Sequence, residues 1–196
     1  LIENYERLCD RYALSSESSV LVPLCGDSRS IRFFFDRGHS VSGIEYVKEA
    51  VRRLFREQFS DLDVTQSSDG AFVLYAATRI QIYQGDVFSF RQTNCFDLIY
   101  DRAALVALEL GQREKYAERM QDSLRAGGIL YLNTFFYQEG PKPSTPYSVS
   151  LEEIGRLYPK CSLEEFEEKP LPEPPEFMTA YSSEVPKSLH LVLKKS

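Results

Sequence analysis

The sequence predicts an α/β domain, a mostly parallel sheet with helices on both faces. Three observations carry that reading. Short apolar runs alternate along the chain with stretches whose apolar residues recur three or four apart, the periods of buried strands and amphipathic helices. The first strand-like run, Val20 to Val22, ends at Pro23, turns at Gly26 into helical spacing, and leads to a second run, Val41 to Ile44. That run ends on an acid, Glu45, about twenty residues beyond the turn, where a doubly wound sheet places a ribose-binding carboxylate.

The elements follow in order. From Leu1 to Tyr12, the spacing of Ile2, Tyr5, Leu8, Cys9 and Tyr12 predicts an amphipathic helix that packs on the sheet as scaffold. After strand one, Asp27 or Ser28 can cap a helix carrying Ile31, Phe34 and Phe35 inward, and Gly38 stops it by taking a left-handed conformation. Glu49 to Phe59 is a second crossover helix with Ala50, Val51, Leu54 and Phe55 on one face. Asp61 to Thr78 breaks the rhythm. Its S-S-D-G turn followed by F-V-L-Y-A reads as an inserted loop or hairpin.

Ile80 to Tyr83 is strand three, closed by Gly85 and Asp86, and Phe96 with Leu98 to Tyr100 is strand four, closed by Asp101 and Arg102. Ala103 to Leu108 begins a helix, G-Q-R interrupts it, Glu114 to Leu124 resumes it, and R-A-G-G ends it before strand five, Ile129 to Phe136. The segment G-P-K-P-S-T-P-Y-S-V is a proline-stiffened loop on the site side of the sheet and a candidate lid. Ser150 with Glu153 is a capping box for a helix to about Tyr158. Leu163 to Lys169 is strand six, P-L-P-E-P-P-E an extended acidic connection, and Leu189 to Leu193 a strand of a final antiparallel hairpin.

Composition narrows the function. With 43% hydrophobic and 27% charged residues in 196, the chain reads as one soluble domain over 1–196. No apolar run approaches the roughly 20 residues of a membrane span, and no signal peptide opens the chain, so a cytoplasmic location away from membranes is expected. A net charge of −6 lacks the basic footprint of a nucleic-acid binder, which favours small-molecule chemistry. The 4 cysteines, Cys9, Cys25, Cys95 and Cys161, form no C-x-x-C pair, so neither a metal site nor a disulfide framework is signalled, and buried or semi-buried thiols are expected. His39 and His190 lie too far apart in sequence to suggest a paired-imidazole site, and no residue sits in a nucleophile elbow. The first residue is Leu, so the expectation is that an N-terminal piece carrying part of the site precedes it.

The central unit suggests an adenosine-containing cofactor. Its turn has one glycine rather than the G-x-G-x-x-G that lets backbone approach a pyrophosphate, which argues against NAD and FAD. S-adenosylmethionine has a ribose and an adenine but no phosphate, and a turn with bulky Leu24 and Cys25 suffices for it. Against this stands a merely solvated Glu45. Asp86 can accept from an adenine amino group with Val87 packing on the ring, or it can cap the next turn. Asp101 and Arg102 end strand four, where open α/β sheets bind ligands, or they form a structural ion pair.

L-V-P-L-C-G-D-S, D-R-G-H-S-V-S-G-I-E, F-D-L-I-Y-D-R-A-A-L-V-A-L and T-P-Y-S-V-S together resemble the thiopurine S-methyltransferase family. The resemblance runs from about Val20 to Ser150. It implies a Rossmann-like class I methyltransferase fold, a seven-stranded mostly parallel sheet with an antiparallel last strand. It further implies S-adenosyl-L-methionine as cofactor and S-adenosyl-L-homocysteine as product. The acceptor would be a thiopurine or related thiol or chalcogen compound, with halide or thiocyanate as alternatives, and the protein a monomer. By the same resemblance Leu24 and Gly26 line the methionine portion, Glu45 holds the ribose with Tyr46 alongside, Asp86 and Val87 flank adenine, and Arg102 faces cofactor and substrate. Such enzymes need alignment rather than a dedicated acid-base residue, and Arg102 is the residue expected to orient the acceptor. The chain departs from the family in having no Trp and no arginine after Arg156. A methyltransferase-like module that binds the cofactor without transfer is the rival from another functional class.

Overall fold

The computed structural model describes residues 5–141, 143–181 and 183–196. It contains the predicted alternation. Helix α1 spans Tyr5–Tyr12, so Ile2 of the expected first helix lies outside the described residues. Strand β1 (Ser19–Val22), helix α2 (Arg29–Asp36), strand β2 (Ser40–Glu45) and helix α3 (Lys48–Gln58) follow. Ser28 caps α2 by accepting from Ser30 N, and Gly38 takes a φ of +95° just beyond it. The irregular segment is a hairpin of β3 (Thr65–Asp69) and β4 (Phe72–Ala77). Strand β5 (Ile80–Gln84) then leads to a 3₁₀ turn at Val87–Ser89 and to β6 (Phe96–Arg102).

Two local expectations are corrected between Ala103 and Phe136. Only Leu105–Ala107 forms a 3₁₀ turn, and G-Q-R does not interrupt a helix but lies in the first turn of α4 (Leu110–Ser123). A glycine costs little in a first turn, where backbone N–H groups lack intrahelical partners anyway, and Gln112 contributes by accepting from Glu109 N at 3.2 Å. R-A-G-G does not end the helix either. It sits inside β7 (Leu124–Phe136) as an irregularity: Phe96 pairs with Leu124, Leu98 with Ile129, and the residues between loop out with Gly127 at a φ of +75°.

Helix α5 (Leu151–Leu157), β8 (Cys161–Pro170), the short α6 (Glu176–Thr179) and β9 (Lys187–Lys195) complete the chain. Ser150 caps α5 at 3.1 Å, but the second half of the expected capping box is spent elsewhere. Glu153 pairs at 2.8 Å with the buried Arg113, whose guanidinium also donates to Leu108 O and Ser148 O. The proline-rich loop is tied down nearby, with Tyr147 N donating to Val106 O at 2.7 Å and Val149 N to Phe135 O at 2.8 Å.

The strands form one sheet in the order β3-β4-β5-β2-β1-β6-β7-β9-β8. The expected seven strands are the run from β5 to β8, parallel except for β9, which is antiparallel to both neighbours; the β3–β4 hairpin extends that sheet at the β5 edge. Apolar side chains split into two cores. On one face α1, α2 and α3 cover Val20, Val22, Val41, Ile80 and Leu98; on the other α4 and α5 cover Leu21, Ile44, Ile99, Leu130 and Leu132. Cys25 is buried and the other three cysteines partly so, all as free thiols. Among the described residues no helix is long and apolar enough to cross a membrane.

Candidate functional site

The carboxyl ends of β5, β2 and β1 lie side by side. The turn after β1 is set by backbone in the left-handed region at two positions, Leu24 at a φ of +45° and Gly26 at +53°, with open space above the Cα of Gly26. It is stitched to β2. Cys25 N donates to Ile44 O at 2.9 Å, and Gly26 N to Glu45 Oε2 at 2.8 Å. The other oxygen, Oε1, accepts from Val47 N at 2.7 Å, so the Glu45 carboxylate spans two turns and is 9% exposed. That burial removes the solvated-face reading. Each oxygen still has a lone pair for a further donor. Burial pushes the Cys25 thiol up out of nucleophilic range, so this cysteine packs rather than reacts.

Along the same edge the exposed Asp86 does cap the 3₁₀ turn, Oδ1 accepting from Phe88 N at 2.9 Å, and Val87 is buried in the core behind it. Capping uses Oδ1 and leaves the other oxygen of this exposed side chain for a further donor. Tyr46 is 73% exposed, with Gln84 donating to its carbonyl.

On the other side of β1 a cavity of about 800 Å³ opens over β6, β7, β9 and β8. Helices α1 and α2 cover its inner end, where Tyr100 and Val192 belong to the same core as Leu8 and Phe34, and polar side chains make up much of the floor beyond it. Strand register arranges them in rows. Tyr100, Tyr131, Val192 and Glu165 form one; Arg102, Asn133, His190 and Glu167 the next; Phe135, Ser188 and Lys169 the last. Neighbours in a row stand on strands about 5 Å apart and share one face.

Arg102 and Asp101 part company. Alternation along β6 sends Arg102 into the cavity, whereas Asp101 is fully buried on the opposite face, accepting from Ala104 N at 2.8 Å, Leu105 N at 3.3 Å and Tyr116 Oη at 2.7 Å. The ion-pair alternative is therefore excluded. Burial pushes the Asp101 carboxyl up to about 6, against the three hydrogen bonds that favour its ionised form. Arg102 makes no ion pair among the described residues.

The cavity holds two of the expected site residues, Leu24 and Arg102; Gly26, Glu45, Tyr46, Asp86 and Val87 lie outside it along the edge. None of the described residues of the proline-rich loop lines it. Helix α1, expected as scaffold, supplies a wall through Arg7 and Leu8. It is held there by Glu165, which pairs with Arg7 at 2.5 Å and Arg11 at 3.4 Å and accepts from Tyr12 Oη at 2.9 Å. Burial and that bond push the Tyr12 phenol up to about 12.

Sequence reasoning missed the polar network on the cavity floor. Tyr131 Oη meets His190 Nδ1 at 2.8 Å, Ser188 Oγ meets His190 Nε2 at 3.1 Å, and Asn133 Nδ2 donates to Ser188 Oγ at 2.8 Å. The available signal was polar residues at alternate positions, Tyr131 and Asn133 in one apolar strand, Ser188 and His190 in another. His39, by contrast, is structural: fully buried, with Nδ1 donating to Ser18 O at 3.1 Å, Nε2 bonded to Tyr5 Oη, and its basicity lowered by burial.

Comparison with known proteins adds a family. The thiopurine S-methyltransferase family model matches residues 3–195. A thiopurine S-methyltransferase of Vibrio parahaemolyticus is 41% identical over 142 residues, 72% of this chain and 65% of that one. Another, of Pseudomonas fluorescens, is 37% identical over 148 residues, 74% of this chain and 66% of that one. The chain thus spans slightly under two thirds of the length of these relatives. Among solved structures, the MccD protein superposes with a TM-score of 0.71 at 11% identity, covering 100% of this chain and 97% of that one. The Burkholderia thailandensis 1,6-didemethyltoxoflavin-N1-methyltransferase, solved with S-adenosylhomocysteine bound, gives 0.67 at 15% identity over 97% and 76% of the two chains. At such identities the likeness is one of fold.

Proposed function

The chain belongs to the thiopurine S-methyltransferase family, and from that premise we propose that it transfers a methyl group from S-adenosylmethionine to sulfur, or a related soft atom, of a small acceptor. The observation that carries the proposal is the buried Glu45 carboxylate, clamped between the Gly26 and Val47 N–H groups at the carboxyl end of β2 and directly beside a polar cavity. The residues present fit the cofactor. Glu45 keeps lone pairs for a ribose diol, Asp86 keeps Oδ2 for an adenine amino group beside Val87, and the exposed Tyr46 next to Glu45 would stand alongside the ribose. The open turn at Leu24 and Gly26 takes the methionine portion. When bound, S-adenosylmethionine supplies an electrophilic methyl group on its sulfonium.

What the chain's own residues contribute is binding, alignment and charge. Holding the acceptor in line is worth on the order of 7–11 kcal/mol, enough that no acid-base dyad has to be invoked for an acceptor that is already anionic. Arg102 makes the cavity receptive to an anionic or polarised sulfur, the charges of Arg7 and Lys169 on the same walls being met by Glu165 and Glu167, and the tyrosines of the first row suit an aromatic one. Thiopurines and related thiols match both features.

Calorimetry with S-adenosylhomocysteine on the full-length polypeptide, followed by transfer of labelled methyl to a panel of thiopurines, simple thiols, selenite, thiocyanate and halides, tests this. Saturable binding with transfer to sulfur is expected. Binding without transfer to any acceptor would leave a cofactor-binding module, and no binding at all would remove the cofactor assignment.

A further inference from the structure

We infer that His190, working through the hydroxyl of Tyr131, takes the proton from a thiol acceptor bound in the cavity. The inference rests on the methyl-transfer reading above and deepens it by assigning the residue that generates the thiolate. Its ground is position. His190 stands in the middle row of the cavity floor, with Asn133 between it and Arg102 in register, so the imidazole and the guanidinium face one space from β9 and β6.

The two sides of the ring are held differently. Nε2 meets Ser188 Oγ, which is nearly fully buried and takes a second hydrogen bond from Asn133 Nδ2 at 2.8 Å, so this side fixes the orientation of the imidazole. Nδ1 meets the hydroxyl of Tyr131, a half-buried residue of the cavity wall whose ring stacks on Tyr100 at 5.2 Å between centroids. A hydroxyl is both donor and acceptor. The thiol S–H bond breaks with its electron pair left on sulfur, the proton passes to Tyr131 Oη, and the phenol's own hydrogen passes to the lone pair of Nδ1. The products are a thiolate and an imidazolium, and Arg102 is placed to hold the thiolate. Among the described residues, Arg102 on β6, Glu165, Glu167 and Lys169 on β8 and Arg7 on α1 are the charged groups that line the same cavity.

The test compares thiophenol, below the pH at which it ionises, with pentafluorothiophenol, a much stronger acid on the same ring framework that is already a thiolate at that pH and so needs no base. His190→Gln and Tyr131→Phe should each lower kcat/KM for thiophenol by about 100-fold or more, the usual scale of general-base assistance, and flatten the acid limb of its pH profile. Transfer to pentafluorothiophenol should stay within about threefold. A second readout does not depend on turnover. With 2 histidines in the chain, the imidazole nitrogen spectrum is assignable by His190→Gln, and adding thiophenol to the S-adenosylhomocysteine complex should convert the His190 signals to the imidazolium pattern. Equal losses for both thiols, or a His190 that stays neutral, overturns the relay alone. Absence of methyl transfer by the wild type to either thiol overturns the relay, and absence of transfer to every acceptor of the panel above overturns the reading it rests on as well. Should His190→Gln fail to fold, Tyr131→Phe, which deletes one hydroxyl, decides by the same criteria.

Discussion

Replacing Asp101 with Asn should make the protein more stable at neutral pH and change nothing near pH 4. The side chain is fully buried and pushed up from 3.8 to about 6 by desolvation, with no cation among the causes because Arg102 points to the other face. The native state therefore keeps a proton that the unfolded chain has lost between about pH 4 and 6. Stability contributed by this group is full below the unfolded value and is lost as pH rises through the folded one. The difference of 6 minus 3.8 is 2.2 units, or about 3 kcal/mol at 1.36 kcal/mol per unit. Asn has the shape of the protonated acid. Its oxygen can accept from Ala104 N and Leu105 N, and its amide can donate to Tyr116 Oη where the acid's proton would. Urea denaturation of both proteins at pH 4, 5, 6 and 7.5 measures the difference directly. The His39 contribution, which runs the other way and is lost as pH falls below its ordinary value, is common to both and cancels. Equal stability at pH 4 rising to an advantage of about 3 kcal/mol for the variant at pH 7.5 is expected. A difference that does not change with pH would refute the assignment of a desolvated Asp101.

Three further outcomes are expected. Glu45→Ala removes two charge-assisted bonds to backbone at 2.8 and 2.7 Å, each worth roughly 1.5–3 kcal/mol, so it should lower stability by about 3 kcal/mol or more as well as weaken S-adenosylhomocysteine binding. A variant as stable as wild type sinks the clamp, and wild-type affinity in the folded fraction sinks the ribose contact. Arg102→Lys keeps the charge but loses the planar donor fork, and should lower transfer efficiency about tenfold or more with an unchanged melting temperature. Lowered melting with normal kinetics would place the site on another residue. Arg113→Ala leaves the largely covered Glu153 without its partner and strips Leu108 O and Ser148 O of a donor, at a cost of about 3 kcal/mol in urea denaturation. If that pair contributes as argued, Arg113→Met with Glu153→Leu recovers most of the loss.

The alternation of elements was legible in the sequence because it rests on local physics. Three apolar residues before Pro23, a glycine beyond Phe35, a serine ahead of Ile31 and an S-S-D-G turn each restrict a few backbone angles, and the chain obeys all of them. Where local signals misled, a distant partner had decided the matter. Gly111 sits in a helix because a first turn forgives it, and Arg125 to Gly128 loop out of β7 because Phe96 and Leu98 on β6 take partners on either side of them. The clamp on Glu45 could be anticipated as an acid at the end of β2, yet not its two backbone donors. The cavity floor lay beyond reach altogether. Alternation shows that Tyr131 and Asn133 share a face, as do Ser188 and His190, but which residue meets which across β6, β7, β9 and β8 depends on register between segments far apart in sequence. A slip of one residue would turn Leu130 and Leu132 to the cavity and bury Tyr131 and Asn133. Hydrophobic pairing of whole strands decides that register, and with it the row that places Arg102, Asn133, His190 and Glu167 side by side.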